Sequence, residues 1–141
     1  MSEDGLFKNF AESNPNGQVI LDPDLNMVFV NTALCSLLGR EQGDLLQQNV
    51  SFLEIHGLVR KIGMKTDPLQ KAIREKTATF DRVIIQSPSG KCNIKRQIIP
   101  CFDQDKQLSS IMIQFLDVSE LVRHIEDARL YHQMFEKSLV A

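Results

Sequence analysis

The chain has 141 residues and a mass of 16.0 kDa, a size that suits one compact domain and leaves no room for two. Hydrophobic residues make up 43% and charged residues 24%, which excludes wholesale disorder. The net charge of −2 lacks the basic excess that binding to phosphates requires, so we predict no direct contact with nucleic acid.

Short strands and short helices are predicted in the first half of the chain. A helical lead-in over residues 5–13 ends at the turn-rich residues 14–17. Strand-like runs at 18–21 and 27–30 flank a loop with turn chemistry, and so predict a hairpin. Helices are then predicted from the cap Asn31 to the stop Gly39, over 41–48 and over 66–76, with an irregular segment at 50–64.

The second half of the chain is typical of strands. Runs at 79–86, 91–102 and 108–116, separated by polar turns, predict three consecutive antiparallel strands. Two strands, a block of helices and three more strands predict an α+β domain, with a five-stranded antiparallel sheet and its helices on one face. We expect the sheet and the helices to enclose a pocket.

A long amphipathic helix is predicted directly after the last strand. Asp117 and Ser119 are placed to cap it, and Glu120 puts negative charge in its first turn. A helix of about 22 residues with one apolar stripe is not stable alone, so we expect a parallel helix pair in a dimer, or else packing against its own domain. Apolar residues recur between Val118 and Leu139 at spacings of three and four, and they predict a dimer seam of Leu121, Ile125, Ala128, His132 and Phe135.

Several features predict a cytoplasmic location. No apolar run approaches the roughly 20 residues that a membrane span requires. The first four residues include two acidic ones, Glu3 and Asp4, and no basic one, whereas a signal peptide begins with basic residues. The three cysteines, Cys35, Cys92 and Cys101, have no CxxC spacing and fit reduced thiols better than disulfides or a zinc site.

A series of short motifs runs through the chain in a characteristic order. They are residues 14–22 (NPNGQVILD), 28–31 (VFVN), 37–40 (LLGR), 89–90 (SG), 99–100 (IP) with Asp103, and 117–120 (DVSE). With these motifs the chain resembles the PAS sensor family from residue 10 to residue 120. The resemblance implies a five-stranded antiparallel sheet, dimerisation through terminal helices and regulation of a covalently attached output domain. It also implies that Asp117, Ser119 and Glu120 form the motif that transmits a signal from the last strand to the helix.

We assign residues 1–15 to the helical lead-in, 16–119 to the PAS domain and 120–141 to a coiled-coil signalling helix. Residues 10–13 (FAES), which precede the first strand, are echoed by 135–138 (FEKS). This repetition suggests the hypothesis that the helix leads into another PAS domain.

The sequence argues against flavin and haem, two cofactors that some PAS relatives bind. Flavin photosensors have a motif NCRFLQ, but residues 49–54 (NVSFLE) have Val50 in place of the reactive cysteine and Ser51 in place of the arginine. Phe115 also stands where those relatives have a glutamine. Haem relatives use a histidine on the helix that corresponds to 67–76, which has none, and His56 is the single histidine in the body of the domain.

Arg96 is the most distinctive candidate for binding a ligand. Strand alternation puts it on one face with isoleucines, where a buried charge requires an anion. The functional hypothesis is that it holds a small anionic ligand by a bidentate pair. The alternatives are a salt bridge to Glu54, Asp67 or Glu75, or a register that turns Arg96 to solvent. The other pocket candidates are Val19, Leu21, Phe52, Ile94, Ile98, Ile113 and Phe115.

Enzyme and metal signatures are absent from the sequence: there is no Gly-rich phosphate loop, HExxH or GxSxG motif. His124 occupies a flanking position of the heptads, which favours a solvated side chain over a phosphoacceptor. We therefore predict a sensory and dimerisation PAS module of a cytoplasmic histidine kinase, cyclase or transcription regulator. The alternatives are a ligand-free interaction relay and a haem or flavin redox or gas sensor.

Overall fold

The computed structural model describes residues 12–63 and 67–139, without the side chains of 135–139. Within these residues the fold is built from six strands and five helices. The predicted lead-in over 5–13 lies almost wholly outside these residues. The strands are β1 (Gly17–Leu21), β2 (Met27–Val30), β3 (Val59–Lys61), β4 (Thr79–Ser87), β5 (Gly90–Phe102) and β6 (Leu108–Asp117). The helices are α1 (Thr32–Leu38), α2 (Gln42–Leu45), α3 (Phe52–Ile55), α4 (Pro68–Glu75) and α5 (Ser119–Leu139).

The strands form one antiparallel sheet in the order β2-β1-β6-β5-β4-β3. The prediction of an antiparallel α+β fold with a terminal helix is confirmed, but the sheet has six strands and not five. The additional strand, β3, lies in the segment that we predicted to be irregular, as does α3. A strand of three residues is too short to show a period of two, which is why the sequence pattern did not predict it. In the structure it is placed by antiparallel pairing with β4.

The two longest strands bury alternate side chains, as their sequence patterns predict. On β5, Ile94, Arg96 and Ile98 are all buried, and on β6 Ile113 and Phe115 are buried beside them. The register pairs Arg96 with Phe115 and Ile98 with Ile113. These residues therefore share the inner face of the sheet, which the helices cover.

Asn31 joins the first helix to the first strand. The side chain is fully buried, and its Oδ1 atom accepts hydrogen bonds from the backbone N–H of Leu34 at 3.0 Å and of Gln18 at 2.8 Å. The predicted N-cap is confirmed. The same side chain also binds the backbone of β1, so Asn31 links the start of the helix to the sheet. Gly39 ends α1 with φ of 67°, and a Cβ atom there would lie 2.8 Å from Cγ of Pro88.

The terminal helix α5 begins two residues after the end of β6. All of its described side chains from Arg123 to Met134 are exposed, so the alternative in which it packs back on its own domain is wrong. Leu121 and Ile125 are 58% and 50% exposed. Within residues 12–63 and 67–139, no helix has the length and apolar content that crossing a membrane requires.

Candidate functional site

A cavity of about 170 Å³ lies between the inner face of the sheet and the helical side of the domain. Its walls combine core side chains with polar and charged ones, an arrangement typical of sites that orient a small molecule. The lining residues are Leu25, Asn49, Val50, Ser51, Glu54, Lys61, Asp67, Leu69, Gln70, Arg96, Ile98 and Ile113.

Arg96 forms a buried ion pair with Asp81 on the neighbouring strand. The two residues are directly opposite in the register of β4 and β5, and each is only 5% exposed. Nε of Arg96 donates to Oδ1 of Asp81 at 2.8 Å, and Nη2 donates to Oδ2. The anion that a buried arginine requires is therefore Asp81, which was not among the partners that we considered from the sequence.

The pair with Asp81 uses only one edge of the guanidinium group. An arginine has five N–H donors, and Asp81 accepts from Nε and from one N–H of Nη2. The remaining donors, both on Nη1 and one on Nη2, make no hydrogen bond with a described residue. Because Arg96 lines the cavity, they are available to a group inside it.

A second charged cluster lies in the wall of the cavity nearer to solvent. Nζ of Lys61 lies 3.4 Å from Oε1 of Glu54 and 4.0 Å from Oδ1 of Asp67. These side chains are 31%, 45% and 47% exposed, so water screens their attraction and they hold one another only weakly. A ligand can therefore compete for either carboxylate.

The predicted pocket residues divide into three groups. Arg96, Ile98 and Ile113 line the cavity together. Phe52 is half-buried and stacks against His56, with a distance of 4.1 Å between the ring centroids. The remaining candidates belong to the buried core and do not line the cavity: Val19, Leu21, Ile94 and Phe115.

The junction between β6 and α5 is held by three hydrogen bonds. The backbone N–H of Val118 donates to the carbonyl of Asn93 on β5 at 2.8 Å. The N–H of Asn93 in turn donates to Oγ of Ser119 at 2.8 Å. Asp117 Oδ1 accepts from the N–H of Ser119 at 2.9 Å. Ser119 was predicted to cap the helix, but its hydroxyl instead binds the sheet, while Asp117 caps the turn.

The residues beyond the junction are open to solvent. Glu120 lies in the first turn of α5, and its Oε1 atom is 3.7 Å from Nε2 of the exposed His124. Of the predicted seam, Leu121, Ile125, Ala128 and His132 are exposed, and the side chain of Phe135 lies outside the described part.

The described residues offer no group of three or more acidic, cysteine or histidine side chains that could hold a metal ion. His56, the histidine that we weighed as a haem ligand, is exposed and is absent from the lining of the cavity. The flavin-like segment 49–54 does reach the cavity through Asn49, Val50, Ser51 and Glu54.

The model of the PAS domain family matches residues 15–120, which is most of the chain. The chain belongs to the PAS domain family. This family of regulatory sensor domains is typical of signalling proteins such as histidine kinases. No curated protein matches the chain in sequence.

Solved structures share the fold at low sequence identity. A receptor described as an RNA-binding light-oxygen-voltage receptor superposes with a TM-score of 0.68 and 20% identity over 94% of this chain, which spans 38% of that receptor. The PAS domain of BvgS from Bordetella pertussis gives 0.60 and 16%, over 91% of this chain and 98% of that one. The PAS domain of nitrogen regulation protein NR(II) from Vibrio parahaemolyticus gives 0.61 and 16%, over 79% and 97%. These likenesses support the PAS fold.

Proposed function

We propose that this PAS domain is the sensory and dimerisation module of a cytoplasmic signalling protein, and that α5 relays its state to a covalently attached output domain. The output is a histidine kinase, a cyclase or a transcription regulator. The domain itself performs no catalysis. A small ligand in the cavity, or a partner protein, sets its state.

The junction at Asn93 is the observation that carries this proposal. Both backbone groups of Asn93 form hydrogen bonds at the junction, the carbonyl with Val118 N just before the helix and the N–H with Oγ of Ser119, the first helical residue. Asn93 is three residues from Arg96 on the same strand, and Arg96 lines the cavity. A change of strand geometry at the cavity would therefore reach the start of α5 through one short piece of β5.

The exposed stripe of α5 supports dimerisation through this helix. Leu121 and Ile125 are one turn apart and are at least half exposed, which is unfavourable in water for a helix that packs against nothing. A second copy of the helix would cover them along the seam that continues to Ala128 and His132. In a dimer, a small rotation at each junction would become a change of register between the two helices.

The thiols support the proposed cytoplasmic location. Cys35, Cys92 and Cys101 are all free, and Cys101 is exposed. Exposed free thiols are tolerated in the reducing cytoplasm and are avoided in oxidising compartments.

Two leucine substitutions test the dimer. Leu121 and Leu130 are 58% and 57% exposed, and nine residues, or two and a half turns, place them on opposite sides of the helix. Leu121→Glu should convert a dimer to a monomer in light scattering coupled to size exclusion, whereas Leu130→Glu should leave the mass unchanged. A monomeric parent chain at all concentrations, or equal effects of both variants, would refute dimerisation through this seam.

A further inference from the structure

The charges around the cavity do not favour a simple anion. Its described charged groups are Arg96 and Lys61 against Glu54 and Asp67, and Arg96 is already neutralised by Asp81. Two cations therefore face three carboxylates, a balance of −1. An anion that entered alone would add to the negative excess in a partly enclosed site, where charges are poorly screened.

A cation that entered alone would meet the opposite problem. The most buried charged group on the wall is Arg96, which is 5% exposed, lines the cavity and has N–H donors that Asp81 does not use. These donors require an acceptor, and a ligand with only a positive group would leave them unpaired and repelled.

The free edge of Arg96 is suited to a carboxylate. Asp81 occupies the Nε and Nη2 edge, which leaves the Nη1 and Nη2 edge as a second planar fork. Because Asp81 holds the guanidinium in a fixed orientation, the fork is ordered before a ligand arrives, which lowers the entropy cost of binding.

The solvent side of the cavity is suited to an ammonium group. Glu54 and Asp67 are both close to Lys61, so one flexible cation faces two carboxylates and neutralises only one of the two charges. A ligand ammonium would add a second cation between them and make this cluster neutral. Its hydrogen-bond donors would add to the contacts of Lys61, which are weak because water screens them.

The volume sets a limit on the ligand. About 170 Å³ corresponds to roughly six water molecules at about 30 Å³ each, and it is below the roughly 300 Å³ at which sites for drug-sized ligands begin. A cofactor with large rings does not fit this space, whereas a metabolite of a few non-hydrogen atoms does. The apolar wall of Leu25, Leu69, Ile98 and Ile113 would contact a short side chain.

We propose that the cavity binds a small zwitterion of the α-amino acid class, with its carboxylate on the free edge of Arg96 and its ammonium group between Glu54 and Asp67. This inference rests on the proposed sensory function and names the class of its ligand. Binding engages the side chain of Arg96, and so acts on β5, the strand that holds the start of α5.

Calorimetric titration of the whole chain tests the ligand class with matched probes. The standard L-amino acids with small side chains are titrated individually, and the one that binds most tightly is compared with two analogues. One analogue replaces the ammonium with a methyl group, as isobutyrate does for alanine. The other replaces the carboxylate with an uncharged amide, as alaninamide does. We expect the amino acid to bind at least about tenfold more tightly than either analogue, because each analogue leaves one charged partner unpaired.

Substitutions then assign the contacts. Glu54→Gln combined with Asp67→Asn should weaken binding of the amino acid at least about tenfold and leave the affinity of the carboxylate analogue unchanged or higher. Arg96→Lys keeps a positive charge for Asp81 but lacks the second fork, and should weaken both. Asp105→Asn is the matched control, since Asp105 is exposed on the loop between β5 and β6, and it should change nothing.

The outcomes separate this inference from the proposed function. Equal binding of the amino acid and the carboxylate analogue would overturn the zwitterion and indicate an anion site. Equal binding of the amide analogue would overturn it in favour of a cation site. No binding of any small amino acid would also overturn it, while the oligomeric state of the Leu121→Glu variant would still decide separately whether the helix seam exists.

Discussion

Asp81 and Arg96 lie opposite one another on β4 and β5 and form a bidentate ion pair that is nearly closed to water. Arg96 lines the cavity and is also part of β5, the strand that holds the start of the terminal helix through Asn93. In the core of a small domain such a pair costs desolvation on both sides, so it is weak support for stability in itself. The pair instead fixes the orientation of both side chains, because each charge holds the other in one geometry.

Removal of one charge of this pair should be much more damaging than removal of both. Asp81→Asn leaves Arg96 buried without a counter-charge, and we expect a loss of about 3–5 kcal/mol in the free energy of unfolding. The double variant Asp81→Leu and Arg96→Met replaces the pair with apolar groups of similar size and should recover most or all of that loss. Urea unfolding measures both. A double variant as unstable as Asp81→Asn would contradict this account.

Ser119 should protect one particular backbone amide. The N–H of Asn93 donates to Oγ of Ser119, so Ser119→Ala removes its acceptor. We expect exchange of the Asn93 amide hydrogen to accelerate about fivefold, which corresponds to about 1 kcal/mol for one hydrogen bond. Ser109→Ala, which removes a hydroxyl from the exposed side of β6, is the control and should leave Asn93 unchanged. Unchanged protection in Ser119→Ala would show that this bond does not hold the junction.

Asn31 should be far more important to stability than an exposed asparagine with similar bonds. Asn31→Ala leaves two buried N–H groups, those of Gln18 and Leu34, without an acceptor and the carbonyl of Asn16 without its donor, and we expect a loss of about 2–4 kcal/mol. Asn49→Ala removes two hydrogen bonds, to Asp24 and from Ser51, but both are exposed and should be replaced by water at a cost below about 1 kcal/mol. Thermal unfolding of the two variants compares them directly. Similar melting temperatures would contradict the role given to Asn31.

Regular patterns made most of the fold predictable. The period of two on β5 and β6 identified the inner face with Arg96, and Asn31 and Gly39 marked the ends of α1. What could not be predicted was β3, because its three residues are too few for a period and its place depends on pairing with β4. Pairing between distant segments is a tertiary effect that no local pattern encodes.

The partner of Arg96 could have been found by the same reasoning that found Arg96. On β4, Thr79, Asp81, Val83 and Ile85 alternate onto one face, so Asp81 interrupts an apolar face in the same way as Arg96 does on β5. Opposite charges on the buried faces of two neighbouring strands therefore predict an ion pair between Asp81 and Arg96. The other lining residues, such as Lys61 and Gln70, come from short elements whose approach depends on the complete fold.

Cys35 should react more slowly than Cys101, and its rate should depend on pH. Burial raises the pKa of the Cys35 thiol, and the negative charge of Glu12 raises it further. Less thiolate is therefore present at a given pH, and the rate of alkylation by iodoacetamide should continue to rise with pH beyond the ordinary range of a thiol. Mass spectrometry of the alkylated peptides across a pH series measures the two sites, with the exposed Cys101 as the internal standard.

Glu12→Gln should lower the pKa of Cys35 and accelerate its alkylation at fixed pH, because the variant removes the nearby negative charge. A rate that is insensitive to this substitution, with Cys35 as reactive as Cys101, would refute this description of the thiol.

The orientation of α5 by its junction with the sheet is tested most directly by disulfide cross-linking along the helix. Single cysteines are introduced from residue 121 to residue 134 in a chain whose three native cysteines are replaced by serine, and oxidation yields covalent dimers wherever two helices are close. We expect maxima at Leu121→Cys, Ile125→Cys, Ala128→Cys and His132→Cys, and minima at Leu130→Cys and Met134→Cys. Maxima at the last two positions, or cross-linking without periodicity, would contradict a helix pair that the sheet holds in one orientation.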